Sequence, residues 1–123
     1  MEQVTSAEWS VLEYLWTHSP ASGREVSRAL AESVGWSRST TLTMLRRMSE
    51  KGLIACSLQD GMNVYSPLLS RDAATQSQTQ SFLQRIYHGS ISSMLSAFTQ
   101  KQSLTQKEID ELFAILMEVQ PRD

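Results

Sequence analysis

The residues best suited to chemistry in this sequence cluster between Arg38 and Lys51. They are the guanidinium groups of Arg38, Arg46 and Arg47, the ammonium of Lys51, and the short hydroxyls Ser39, Thr40, Thr41 and Thr43, against a single acid, Glu50. A guanidinium fork can bond guanine O6 and N7 together, and a threonine methyl can rest on a thymine methyl. Hydroxyls and cations hold phosphate oxygens. The spacing places these groups on a helix: Ser37 is a good N-cap and Gly52 is the usual residue just past a helix end. Thr41, Met44, Leu45 and Met48 recur at helical spacing as one apolar face. The opposite face carries Ser39, Thr43 and Arg46, flanked by Thr40 and Arg47. A solvated helix ordinarily mixes both charge signs, so this one reads as a helix that meets DNA. The helix dipole alone accounts for Arg47 and Lys51 near the C-terminus, but not for Arg38 or the hydroxyl run.

The neighbouring elements would position that helix. Thr5-Ser6-Ala7-Glu8 fits a capping box, followed by the apolar stripe Trp9, Leu12, Leu15 and Trp16, which predicts a helix to about Thr17. Ser22-Gly23-Arg24-Glu25 is a second box, leading a short face of Val26, Leu30 and Val34 that should be buried. Three short helices with a tight connection before the third make a helix-turn-helix. Past Gly52 the period becomes alternating. Leu53–Leu58 and Met62–Ser66 read as paired strands around an Asp60-Gly61 turn, because both turn positions tolerate positive φ. A hairpin directly behind the third helix makes a winged helix-turn-helix. Pro67 ends it.

The remainder differs in composition. A helix starts at Ser70-Arg71-Asp72, polar and small to Ser81, then apolar through Phe82, Leu83, Ile86 and Tyr87. Gly89-Ser90 breaks it. Ile91, Met94, Leu95 and Phe98 mark a fifth helix. Thr105-Gln106-Lys107-Glu108 opens a sixth, with Ile109, Leu112, Phe113, Leu116 and Val119 in register. A piece of this size is too small for an independent core, so these stripes should bury against a second copy. The expected organisation is mainly α with a small β-hairpin. A DNA-binding winged helix would span residues 1–69 and a three-helix dimerisation domain residues 70–123, with Phe82, Ile86, Leu95, Phe98, Ile109, Leu112, Phe113 and Leu116 at the interface.

The chain has 123 residues and a formal charge of −2, which argues against a generic polyanion binder. Of the six Lys/Arg in the first 69 residues, four fall between Arg38 and Lys51. A local basic patch on a near-neutral body suits a protein that must release non-specific DNA. The single cysteine, Cys56, excludes an internal disulfide and a cysteine metal cluster. No cofactor or metal is expected. No Gly-rich phosphate loop and no nucleophile with a matched base is present, so an enzyme is a poor reading. Without a signal-peptide pattern or a membrane-length apolar run, the expected location is the cytoplasm, with no direct membrane binding.

Four stretches carry a resemblance to the BlaI/MecI/CopY family of winged-helix repressors: Ser6-Ala7-Glu8-Trp9 with Leu12 and Trp16; Ser37 to Ile54; Ser81 to Tyr87; and Leu104 to Val119. The resemblance implies a homodimer on a palindromic operator, often with TACA/TGTA half-sites, repressing transcription until a signal removes it. It implies base reading through Ser39, Leu42, Thr43 and Arg46, with Thr40 and Arg47 near the backbone. With Arg38 from the basic cluster these form the expected DNA-binding set. Leu42 stands where relatives often have Arg or Lys, and would make an apolar thymine contact or cover the turn. Relatives commonly carry Lys or Arg in the wing, whereas Ser57 to Asn63 has none, so the salt dependence of binding should be shallow. The copper-responsive branch ends in a cysteine-rich tail; Val119-Gln120-Pro121-Arg122-Asp123 has no such thiolates. The β-lactam branch is switched by proteolysis, which would fall between Ala97 and Phe98 and involve a membrane sensor protease. Family members usually have Asn where Ala97 stands.

Other residues have plainer expectations. Trp9, Trp16 and Trp36 should pack between helices rather than stack on a ligand. Cys56 alternates with Ile54 and Leu58 and should be a buried strand position rather than a redox sensor. His18 and His88 follow helix ends, where a cation suits the dipole. The methionines should be packing, and Thr75 to Ser81 a solvated face or a hinge. Two alternatives to a proteolysed repressor stay open: a winged-helix module that binds a protein partner, and a repressor released by a small ligand or metal.

Overall fold

The structure, a computed structural model, describes residues 4–122. Helix α1 (Ser6–His18) opens on the first capping box, where Thr5 Oγ1 accepts the Glu8 N–H at 3.1 Å and Glu8 Oε1 accepts the Thr5 N–H at 2.9 Å. A two-residue strand β1 (Ala21–Ser22) leads into α2 (Gly23–Ser33), opened by the reciprocal Ser22–Glu25 box. Helix α3 (Arg38–Lys51) starts at Ser37, whose Oγ accepts the Thr40 N–H, and ends at Gly52 with φ 87°. Strands β2 (Ile54–Gln59) and β3 (Met62–Pro67) form the hairpin around Asp60 and Gly61, both at positive φ (51° and 78°). The sheet is antiparallel in the order β1-β3-β2. This is the expected winged helix-turn-helix.

One apolar core holds these elements together. Val11, Leu12 and Leu15 of α1, Val26 and Leu30 of α2, Leu45 and Met48 of α3, and Ile54 of β2 are buried together. Trp9 and Trp16 meet edge to face at 5.1 Å between centroids, and Trp16 Nε1 donates to the Leu69 carbonyl at 2.8 Å. Arg71 lies 4.8 Å over the Trp16 ring and bridges Glu13 at 2.9 Å. The tryptophans are therefore packing residues, as expected.

Two expectations need correction. Val34 is exposed, because α2 ends at Ser33 and the chain turns away at Gly35 (φ 73°). Cys56 is also exposed: strand β2 leaves the core after Ile54, while β3 keeps Val64 buried and Tyr65 against the core, so alternation along β2 no longer decides burial. Strand β1, at two residues, is too short to carry a periodic signal in the sequence.

Helix α4 (Arg71–Tyr87) begins inside the first compact unit, which extends to Ser81. Ala74 is buried there, and the Gln78 amide donates to the Val4 carbonyl. The second unit starts at Phe82. His88 (φ 52°) and Gly89 (φ 86°) turn the chain, Ser90 caps α5 (Ile91–Lys101), and the Thr105–Glu108 box caps α6 (Gln106–Glu118). Neither α5 nor α6 buries a single residue. Met94, Leu95, Phe98, Leu104, Leu112 and Ile115 line a groove of about 400 Å³ between them. No helix among the described residues is long and apolar enough to cross a membrane.

Candidate nucleic-acid interface

The arrangement of α3 follows from its sequence. Thr41, Leu45 and Met48 bury one side of it, Met44 packs against the same core, and the other side faces solvent. Arg38, Ser39, Thr40, Leu42, Arg46 and Arg47 are exposed, with Thr43 half-buried beside them. All the residues expected to meet DNA therefore lie on accessible parts of one helix. The first turn holds a cluster of hydroxyls: Ser37 Oγ lies 3.0 Å from Thr40 Oγ1 and 3.2 Å from Ser39 Oγ. Together with the open N–H groups of the first turn, these offer donors to phosphate oxygens.

The cations divide into two kinds. Among the described residues, no carboxylate pairs with Arg38, Arg46 or Arg47. Lys51 instead places Nζ 3.0 Å from both oxygens of Glu8, on side chains 23% and 9% exposed respectively. Glu8 thus serves two structures at once, capping α1 and tying down the C-terminus of α3. Burial pushes its carboxyl up, but the Thr5 N–H and the Lys51 ammonium outweigh this and hold it below the usual carboxylate range. Lys51 belonged to the basic cluster by sequence; its geometry makes it an anchor for α3. A capping-box glutamate and a lysine 43 residues apart give no sequence signal of pairing.

Two features of the face lie outside the charge pattern. Leu42 is 38% exposed on this polar surface. A Cβ added to Gly23 would stand 3.1 Å from Leu42 Cδ2 and 3.8 Å from Tyr65 Cε2, so these side chains converge over the start of α2. On the buried side, Thr41 Oγ1 has no hydrogen-bond partner among the described residues.

The wing carries no Lys or Arg from Leu53 to Pro67. Leu58 and Met62 near its tip are 74% and 57% exposed. Cys56 faces Tyr65 across the strands, and burial followed by the neighbouring thiol pushes the Tyr65 phenol up. In the second unit Phe82, Ile86, Phe98, Phe113 and Leu116 are exposed, while Leu95, Ile109 and Leu112 are half-buried. Ala97 and Phe98 are both exposed in the body of α5.

Comparison with known proteins agrees with this geometry. The penicillinase repressor of Bacillus licheniformis is 34% identical over 116 residues, covering 94% of this chain and 91% of the relative. The methicillin resistance regulatory protein MecI of Staphylococcus aureus (strain N315) is 28% identical over 114 residues, covering 93% of each. Among solved structures, the DNA-binding domain of the repressor BlaI matches with a TM-score of 0.52 and 29% identity, covering 59% of this chain and 93% of that one. The Bacillus licheniformis BlaI monomeric form in complex with the blaP half-operator matches with a TM-score of 0.53 and 30% identity, over 58% of this chain and 88% of that one. The family model described as penicillinase repressor matches residues 4–118. With that match spanning both units, the chain belongs to the penicillinase repressor family.

Proposed function

We propose that this chain is a sequence-specific DNA-binding transcriptional repressor, acting as a homodimer on a palindromic operator. The observation that carries the reading is the solvent face of α3, where Ser39, Thr40, Thr43, Arg46 and Arg47 lie together with guanidinium groups that no carboxylate of the described residues neutralises. A relative with the same N-terminal fold is known in complex with a half-operator, which supports placing DNA on this face. Residues 1–69 are the DNA-binding domain, with Arg38 and Leu42 completing the contact set, and residues 70–123 the dimerisation domain. The apolar side chains of α5 and α6 and the end of α4 support the second assignment, because one copy leaves them without a core. Burying a large apolar side chain fully is worth about 1.5–3 kcal/mol. Covering Phe98, Phe113 and Leu116 would therefore repay association. Release by cleavage between Ala97 and Phe98, with a membrane sensor protease as partner, completes the proposal: both residues are exposed in a single copy, before a partner covers Phe98; intact protein after exposure to such a protease would remove it. The site of action is the cytoplasm.

The test is fluorescence anisotropy on a TACA…TGTA palindrome and on its scrambled counterpart at one near-physiological salt. A preference of about a thousandfold is expected. Equal weak binding to both, and to duplexes selected from a random pool, would refute the repressor. The exposed Leu58 and Met62 beside Asp60 on the wing would then favour a protein-binding module.

A further inference from the structure

The face of α3 contains one apolar side chain whose presence the charge pattern does not explain. Leu42 sits one turn before Arg46, beside Ser39 and Thr43, and keeps 38% of its surface in solvent. An exposed leucine on a polar face is ordinary by itself. Here its position is also fixed. The bare Cα of Gly23 leaves room for Leu42 Cδ2, which a Cβ would meet at 3.1 Å, and Tyr65 closes the same spot from β3. One side of the isobutyl group is therefore seated on the protein, while the other faces outward among the residues that would meet base edges.

Leucine has no donor or acceptor, so it cannot hold phosphate or read guanine. In the major groove the apolar feature of a base pair is the C5-methyl of thymine, which projects beside the O4 acceptor. Burying a methyl group between two apolar surfaces is favourable, and the gain is larger when the protein side is already ordered. We infer that Leu42 is a specificity-determining residue that reads a thymine C5-methyl, with Gly23 as the seat that holds it in place. A basic side chain at this position would instead favour guanine or a phosphate. The inference deepens the repressor reading and rests on it.

The experiment uses deoxyuridine, which lacks only the C5-methyl and keeps the base pair and O4. The full-length protein first selects its preferred duplex from a random pool. Each thymine of that duplex is then replaced by uracil, and binding is measured for wild type and for Leu42→Ala. At one thymine per half-site the uracil duplex should bind wild type about three- to fivefold more weakly, the scale of one buried methyl. Leu42→Ala should show no loss at that same thymine, and circular dichroism should show it folded. Gly23→Ala, which crowds the seat, should reduce the discrimination while specific binding remains. A preferred duplex whose uracil positions cost wild type and Leu42→Ala equally would overturn this inference alone. Absence of any preferred duplex would overturn the repressor reading with it.

Discussion

The clearest division on the α3 surface is between Lys51 and the arginines, and Lys51→Met puts it to the test. Its ammonium lies 3.0 Å from both carboxylate oxygens of Glu8, and the two side chains are 23% and 9% exposed. A fully exposed pair would be worth about 0–1 kcal/mol, whereas breaking a fully buried one costs about 3–5 kcal/mol. Partial burial places the loss at about 1–2 kcal/mol, since Glu8 keeps the Thr5 N–H when Lys51 is gone. For a domain of this size each kcal/mol moves Tm by about 4–8 °C. DNA binding should respond differently. A cation on phosphate contributes about 0.9 to the slope of log K against log salt, and a lysine held by Glu8 contributes none. Urea unfolding should therefore show Lys51→Met destabilised, while anisotropy over a salt series shows its slope unchanged. Arg46→Ala should do the reverse, leaving stability intact and costing roughly 1–3 kcal/mol of specific binding. A Lys51→Met protein of normal stability with a slope reduced by about 0.9 would refute the reasoning, because Lys51 would then be a phosphate contact.

Further outcomes follow from the same geometry. Burial raises the Glu8 carboxyl, but the Thr5 N–H and Lys51 hold it below its ordinary value when folded. Its contribution is thus complete above the usual carboxylate range and is lost as pH falls through that range toward the folded value. Glu8→Gln should lower stability at neutral pH and flatten the acid limb of the unfolding curve; an unchanged limb would count against the pairing. Thr41 Oγ1 is buried without a partner among the described residues, so Thr41→Val should raise stability by about 1 kcal/mol, and a less stable variant would mean that the hydroxyl is satisfied. Leu112→Asp, on the apolar groove of α5 and α6, should give monomers in analytical ultracentrifugation with weakened operator binding; a variant that stays dimeric would move the interface elsewhere. Gln59→Lys, adding a cation to the neutral wing, should steepen the salt slope by up to about 0.9, whereas no change would keep the wing away from the phosphates.

The parts of the fold legible in the sequence were those written in short-range signals. Thr5/Glu8, Ser22/Glu25 and Thr105/Glu108 each lie three residues apart, and each forms the reciprocal cap. Asp60-Gly61 likewise adopts the positive φ values that a tight hairpin demands. Periodicity failed where tertiary geometry decides. Cys56 alternates correctly with Ile54, yet the strand has already left the core. Val34 lies at the right helical interval from Leu30, but the helix has ended. Pairings between distant elements, such as Lys51 with Glu8 or Leu42 over Gly23, have no local signal. They depend on how the α3 axis crosses α1 and α2, which only the packed core fixes.

The two units divide the proposed work in a way that makes repression easy to reverse. On the proposed reading one winged helix would offer the exposed Arg38, Arg46 and Arg47 to DNA, and its wing adds no cation. A single copy thus makes few phosphate contacts and should bind a half-site weakly, which also keeps it from settling on arbitrary sequence. Joining two copies makes the second half-site contact intramolecular, at an effective concentration in the millimolar range for a short link. On this reading operator affinity comes mostly from the second unit, which touches no base. Because α5 and α6 bury no residue in one chain, the order of that unit and the proposed dimer should rise and fall together. A break between Ala97 and Phe98 would divide α5 within the very surface that must be covered. It would release DNA while leaving every residue of the α3 face in place. Cleaved protein should therefore keep half-site selectivity, while its affinity for the full palindrome falls by the avidity factor of about 10²–10⁴. Cleaved protein that kept its full-palindrome affinity would show that the DNA-binding units hold each other without α5.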